Sequence, residues 1–136
     1  MRIMAVDYGD ARTGVAVSDL LNTIAGDTFV IPGRRAEAVA EALAGEAARR
    51  DVGTIVLGFP RNMDGSVGPR AEKALAFADL LREKTGLPVM MWDERRTTVD
   101  AHRILSENGR KTIRHRKNVD AVAASLILEG YLASLS

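Results

Sequence analysis

Cysteine is absent from the 136 residues, which excludes a disulfide framework and any thiolate zinc site and suits a reducing compartment. Histidine is nearly absent. His102 and His115 have no metal-ligand spacing between them, and read as surface or loop residues. No apolar stretch approaches the roughly 18 residues of a membrane span. Asp7 and Asp10 interrupt the first apolar run too early for a signal peptide. Repeats, low-complexity tracts and interdomain linkers are also missing. The chain therefore reads as one soluble, cytoplasmic domain over residues 1–136, long enough to bury a core.

Net charge is also nearly absent, at +1, but it is unevenly placed. Residues 95–117 hold eight Lys/Arg against two acids, Asp100 and Glu107, while the rest of the chain has an excess of acids. A basic region of this kind suits a polyanion, and a solvated loop is the plainer alternative.

Three short runs, Arg2–Val6, Thr13–Ser18 and about Thr28–Ile31, are joined by glycine-bearing turns and predict antiparallel strands. Ala36, Val39, Ala40, Leu43, Ala44 and Ala47 recur at helical spacing, and that helix ends near Asp51–Gly53. Thr54–Phe59 is a continuous apolar run, as in a buried parallel strand. A turn-rich loop, PRNMDGSVGP, leads to a second helix over about Arg70–Lys84, with Ala71, Leu75, Ala78 and Leu81 on one face. Val89–Trp92 predicts another buried strand, followed by Asp93 and Glu94. Thr97 and Asp100 have the spacing of a capping box opening a third helix to about Asn108–Gly109. A basic loop and a final helix, about Asn118–Ser134, complete the order βββαβαβαα. The fold class is α/β, a mixed five-stranded sheet flanked by helices on both faces.

Gly9 and Gly14 have the spacing of P-loop glycines, but Val15 and Ala16 stand where Lys and Ser/Thr are required, and the strand continues after Gly14. What remains is a tight turn beside Asp7, where absent side chains leave room for a ligand. Taken separately, three acids have plain explanations: Asp7 as a turn cap, Asp93–Glu94 as a pair ahead of a helix N-terminus, Asp120 in a first helical turn. Asp120 is the sharpest, because the helix around it reads VDAVAASLIL, and a lone buried carboxylate costs several kcal/mol unless paired or bound to a cation. Taken together, the strand ends carrying Asp7 and Glu94 and the helix start carrying Asp120 can converge. Three such acids repel and need cations to stay ionised. Oxygen ligands without His or Cys suit Mg²⁺ or Mn²⁺. Two such ions, about 4 Å apart, would serve phosphodiester cleavage. Trp92 reads as core, and Asn62–Gly65 as a turn rather than a calcium loop.

Four ordered motifs, AVDYGDARTGVAVSD, GFPRNMDGSVG, DERRTT and NVDAVAASLILEGYL, closely resemble the YqgF family of Holliday-junction-resolvase-like nucleases over essentially the whole chain. The one departure is Phe59, where the family more usually has Leu. The resemblance implies an RNase H-like fold. It also implies a nuclease linked to 5′-end trimming of precursor 16S rRNA in ribosome biogenesis, or to branched DNA. By motif, Asp7, Glu94 and Asp120 are its catalytic and metal-binding acids, with Asp93 as the alternative to Glu94. Strand alternation allows only one of the two on Asp7's side, and the longer reach favours Glu94. Arg95, Arg110, Lys111, Arg114, Arg116 and Lys117 are the candidate nucleic-acid contacts, with no aromatic platform beside them. Precursor rRNA, and branched DNA as alternative, are the expected partners of a monomer or homodimer. Competing readings are an ATP-binding domain of actin-like fold, which needs two such domains, and a non-catalytic RNA-binding factor.

Overall fold

The computed structural model describes residues 1–22, 25–62, 64–94 and 119–135, with the backbone alone at 119 and 120. In chain order the elements are β1 (Arg2–Asp7), β2 (Arg12–Ser18), β3 (Ala25–Pro32), α1 (Ala36–Arg49), β4 (Val52–Phe59), α2 (Pro69–Thr85), β5 (Val89–Asp93) and α3 (Val119–Ser134). The helix expected from Thr97 and the basic loop lie outside the described residues.

The five strands form one sheet in the order β3-β2-β1-β4-β5. The β1–β2 and β2–β3 pairs are antiparallel, and β1–β4 and β4–β5 are parallel. The mixed sheet follows from the connections. Short turns return the chain antiparallel, whereas helix crossovers deliver the next strand parallel. In consequence β1, β3, β4 and β5 all end at the same edge of the sheet. The loops leading into α1 and α2 start from that edge, so both helix N-termini lie there.

Alternation along the strands makes two cores. Met4, Val6, Val15, Ile55, Leu57 and Val89 face α1 and α2, where Val39, Leu43, Phe77 and Leu81 cover them. Ile3, Ala5, Ala16, Val56 and Trp92 face the other way and pack against Ala124, Ile127, Leu128 and Leu132 of α3. Helices therefore cover both faces, and Trp92 is a core residue set edge-on to Tyr131, as the sequence suggests.

Several boundaries differ from expectation. β1 runs one residue further and includes Asp7, which pairs with Gly14. β3 begins at Ala25, because the full register against β2 extends an edge strand whose first residues lack an apolar pattern. β4 begins at Val52, so the strand takes residues expected to close α1. On α2 the buried face is Ala71, Ala74, Phe77, Ala78 and Leu81, while Leu75 is exposed. Packing selects Ala74 because Phe77, three residues on, fills the space between sheet and helix.

Candidate active site

The shared strand edge is where open α/β sheets gather ligands, and Asp7 stands there as the last residue of β1. Its neighbours on that strand, Ile3 and Ala5, belong to the α3-side core, so parity places Asp7 on the α3 face. On β5, Val89 and Met91 pack toward α1 and α2, and Trp92 toward α3. The same parity turns Asp93 away from Asp7's face and brings Glu94, the next residue, onto it.

Glu94 crosses β4 to reach Asp7, and Gly58 makes the crossing possible. A methyl group at Gly58 would stand 2.6 Å from Glu94 Oε1 and 2.7 Å from Ile127 Cδ1, closer than real contacts allow. Glu94 and Asp7 are hydrogen-bonded, which requires a proton between them. Burial drives the Glu94 carboxyl up to about 7, the charge and hydrogen bond of Asp7 push in the same direction, and Arg70 opposes them. A carboxyl pair of this kind, with Glu94 raised by burial and by its neighbour, forms a site that gains when a cation replaces the shared proton.

A cleft of about 250 Å³ opens over the pair, lined by Asp7, Arg70, Glu94, Ala123, Leu126 and Ile127. A smaller cavity of about 70 Å³ adjoins it on the other side of Asp7, with Tyr8, Gly9, Arg70 and Lys73 in its wall. Asp120 lies in the first turn of α3, three and seven residues before Ala123 and Ile127 of the cleft wall. Its side chain is outside the described residues. Among the described residues no group of three His, Cys, Asp or Glu is arranged to hold a metal; two acids meet. Arg95, Arg110, Lys111, Arg114, Arg116 and Lys117 also lie outside the described residues.

Gly9, which lines the small cavity beside Asp7, is also required by the turn it sits in. A methyl group there would collide with the Arg12 carbonyl oxygen, so glycine is needed for the tight β1–β2 turn itself. Asn62, Asp64, Gly65 and Ser66 make turn hydrogen bonds, as expected: the Asn62 carbonyl accepts from the Gly65 N–H, and Asp64 accepts from the Ser66 N–H at 2.9 Å.

Arg70 and Lys73 are functional candidates that sequence reading passes over. Both belong to the start of α2, behind Pro69. A cation in a first helical turn opposes the helix dipole and is locally unfavourable. That mismatch was the available signal, since a residue that offends its own element often answers to a site.

The chain is similar to known proteins along its whole length. A Halothermothrix orenii protein named "Putative pre-16S rRNA nuclease" is 46% identical over 132 residues, covering 97% of this chain and 94% of the relative. A Clostridium botulinum protein of the same name is 44% identical over 137 residues, covering 100% and 99%. Among solved structures, Thermus thermophilus RuvC in complex with a Holliday junction superposes with a TM-score of 0.66 at 13% identity, covering 100% of this chain and 97% of that one. At that identity the likeness speaks for the fold, which is the RNase H-like fold of RuvC-type resolvases. The family model described as "RuvX: Holliday junction resolvase" matches residues 1–134, and the chain belongs to that family.

Proposed function

We propose that residues 1–136 act as one metal-dependent endonuclease domain in the cytoplasm, cutting the 5′ end of precursor 16S rRNA during ribosome biogenesis. The observation that carries this is the Asp7–Glu94 pair, hydrogen-bonded under a cleft that Arg70 also lines. The names of the relatives support the substrate.

Asp7 and Glu94 are the proposed ligands of Mg²⁺ or Mn²⁺, with Asp120 as third, because helical spacing puts Asp120 on the face of α3 that carries Ala123 and Ile127. The fit rests on the donor chemistry: hard carboxylate oxygens, no sulfur or imidazole among the described residues of the site, and a repulsion that a cation relieves. When bound, such ions supply an activated water and neutralise charge on the leaving oxygen. The chain's own contribution is positional. Gly58 leaves the space through which Glu94 reaches Asp7, and Ile127 closes the wall behind it. Arg70 is placed to hold a non-bridging phosphate oxygen over the acids, a charge-assisted contact made without moving the backbone. Arg95, Arg110, Lys111, Arg114, Arg116 and Lys117 are proposed to grip phosphates at the lip of the cleft, so recognition follows shape and backbone more than sequence.

A second reading, cleavage of four-way DNA junctions, is favoured by the description of the matching family. One assay addresses both: end-labelled precursor 16S rRNA leader and a four-way DNA junction, each incubated with the protein in Mg²⁺, Mn²⁺ or EDTA. Cleavage of the rRNA in Mg²⁺ or Mn²⁺, lost in EDTA, is expected. Undiminished cleavage in EDTA would overturn the metal-dependent reading, and cleavage of the junction alone would replace the substrate.

A further inference from the structure

A groove of about 380 Å³ lies beside the acid pair, on the α1–α2 side of the sheet edge. Tyr8, Asp10 and Lys73 belong both to this groove and to the small cavity next to Asp7, so the two adjoin. Its apolar part is Ala36, Ala76, Phe77 and Leu80. Tyr8 lies flat on Phe77, ring centroids 3.9 Å apart and planes within 5°, which fixes the phenol in the wall. Arg34, in the turn between β3 and α1, lines the same groove.

The charges on this groove are available. Among the described residues no ion pair engages Arg34, and Lys73 pairs with Asp10 at 3.3 Å with both side chains largely exposed, a contact worth little in water. The N-termini of α1 and α2 lie at the same edge and add to the positive potential. The volume matters as well. About 380 Å³ is at the lower end of small-molecule sites, room for one nucleotide and far too little for a duplex.

We propose that this groove seats one nucleotide of the substrate strand as it passes from the acid pair over the end of β1, the base against the apolar wall and its flanking phosphates on Lys73 and Arg34. The proposal rests on the nuclease reading for the direction of the strand and extends it. Because the side chains of the apolar part, Ala36, Ala76, Phe77 and Leu80, offer a base no hydrogen bond, the seat accepts any base and selects for a single strand.

The test is fluorescence anisotropy of the full chain in EDTA with a 12-nucleotide single-stranded RNA and with a fully abasic ribose-phosphate chain of equal length. Arg34→Ala and Lys73→Ala remove rim charge. Ala76→Phe fills the groove from an exposed helix position without changing charge. Arg49→Ala, on an exposed side chain at the opposite end of α1, is the charge-matched control. Arg34→Ala and Lys73→Ala should each weaken RNA binding roughly threefold to tenfold and flatten the log–log salt slope by about 0.7, as for one lost single-strand phosphate contact. Ala76→Phe should weaken RNA several-fold and leave the abasic chain unaffected. If both rim variants bind like Arg49→Ala, the groove is not a strand site. An equal effect of Ala76→Phe on both ligands overturns the seat for the base. Binding that behaves as expected in a protein that cleaves no rRNA would instead overturn the nuclease reading and leave the groove standing.

Discussion

Replacing Glu94 with glutamine should make the metal-free protein more stable at neutral and alkaline pH, although it removes a central residue of the proposed site. The carboxyl is raised from 4.5 to about 7, first by burial and then by Asp7. Between those values the folded chain holds a proton that the unfolded chain has released, so stability falls as pH rises through the window. Below 4.5 both states are protonated and the penalty is absent; above 7 both are ionised and it is complete. Each pKa unit corresponds to about 1.4 kcal/mol, so the raw shift implies on the order of 3 kcal/mol. Solvent reaches the cleft and screens the pair, and a value nearer 2 kcal/mol is expected. Glutamine has nearly the same shape, can donate to Asp7 and has no proton to lose. Urea denaturation of wild type and Glu94→Gln in EDTA, from pH 4.5 to pH 8, should therefore give stabilities that diverge by about 2 kcal/mol as pH rises. Saturating Mg²⁺ should restore wild-type stability at pH 8 and leave the variant nearly unchanged. Parallel curves across the range would refute the coupling of Glu94 to Asp7.

Gly58→Ala should lower cleavage at least a hundredfold with modest loss of stability, measured by single-turnover kinetics, because the added methyl displaces Glu94 or Ile127. Arg70→Ala should reduce kcat by roughly a hundredfold, the lower end of the scale of one lost charge-stabilising donor, while metal affinity by calorimetry changes little; an unaltered kcat would remove Arg70 from the site. Asp7→Asn should abolish cleavage and keep RNA binding, with Ca²⁺ binding to the wild type yet supporting little turnover because its coordination is looser. Arg114→Ala/Arg116→Ala should make the salt dependence of rRNA binding shallower by roughly one to two units, and an unchanged slope would reduce the basic segment to a solvated surface.

The succession of elements along the chain, the mixed five-stranded sheet and the two-sided covering by helices were legible in the sequence, because continuous apolar runs such as Thr54–Phe59 and glycine-marked turns leave few topologies. The parity of Asp93 and Glu94 was not. Met91 and Trp92 are both apolar, so the pattern does not say which faces which core; only packing, with Trp92 against α3 and Met91 against α1–α2, settles it. Leu75 misled for a related reason: Ala71, Ala74 and Ala78 bury easily but signal weakly, and the large residue that sets the buried face is Phe77. Gly58 could not have been assigned from one sequence, since its requirement comes from a side chain arriving from another strand. Arg70 could have been, from its conflict with the α2 dipole.

The central claim is that the acids at the end of the sheet hold the ions on which cleavage depends. Anomalous diffraction from crystals soaked in Mn²⁺, at a concentration that supports rRNA cleavage in solution, tests it most directly. The account predicts Mn²⁺ in contact with the carboxylates of Asp7 and Glu94, with Asp120 turned toward it, and no peak there in Asp7→Asn crystals. Mn²⁺ bound elsewhere, with the Asp7–Glu94 hydrogen bond intact and the protein active, would contradict it.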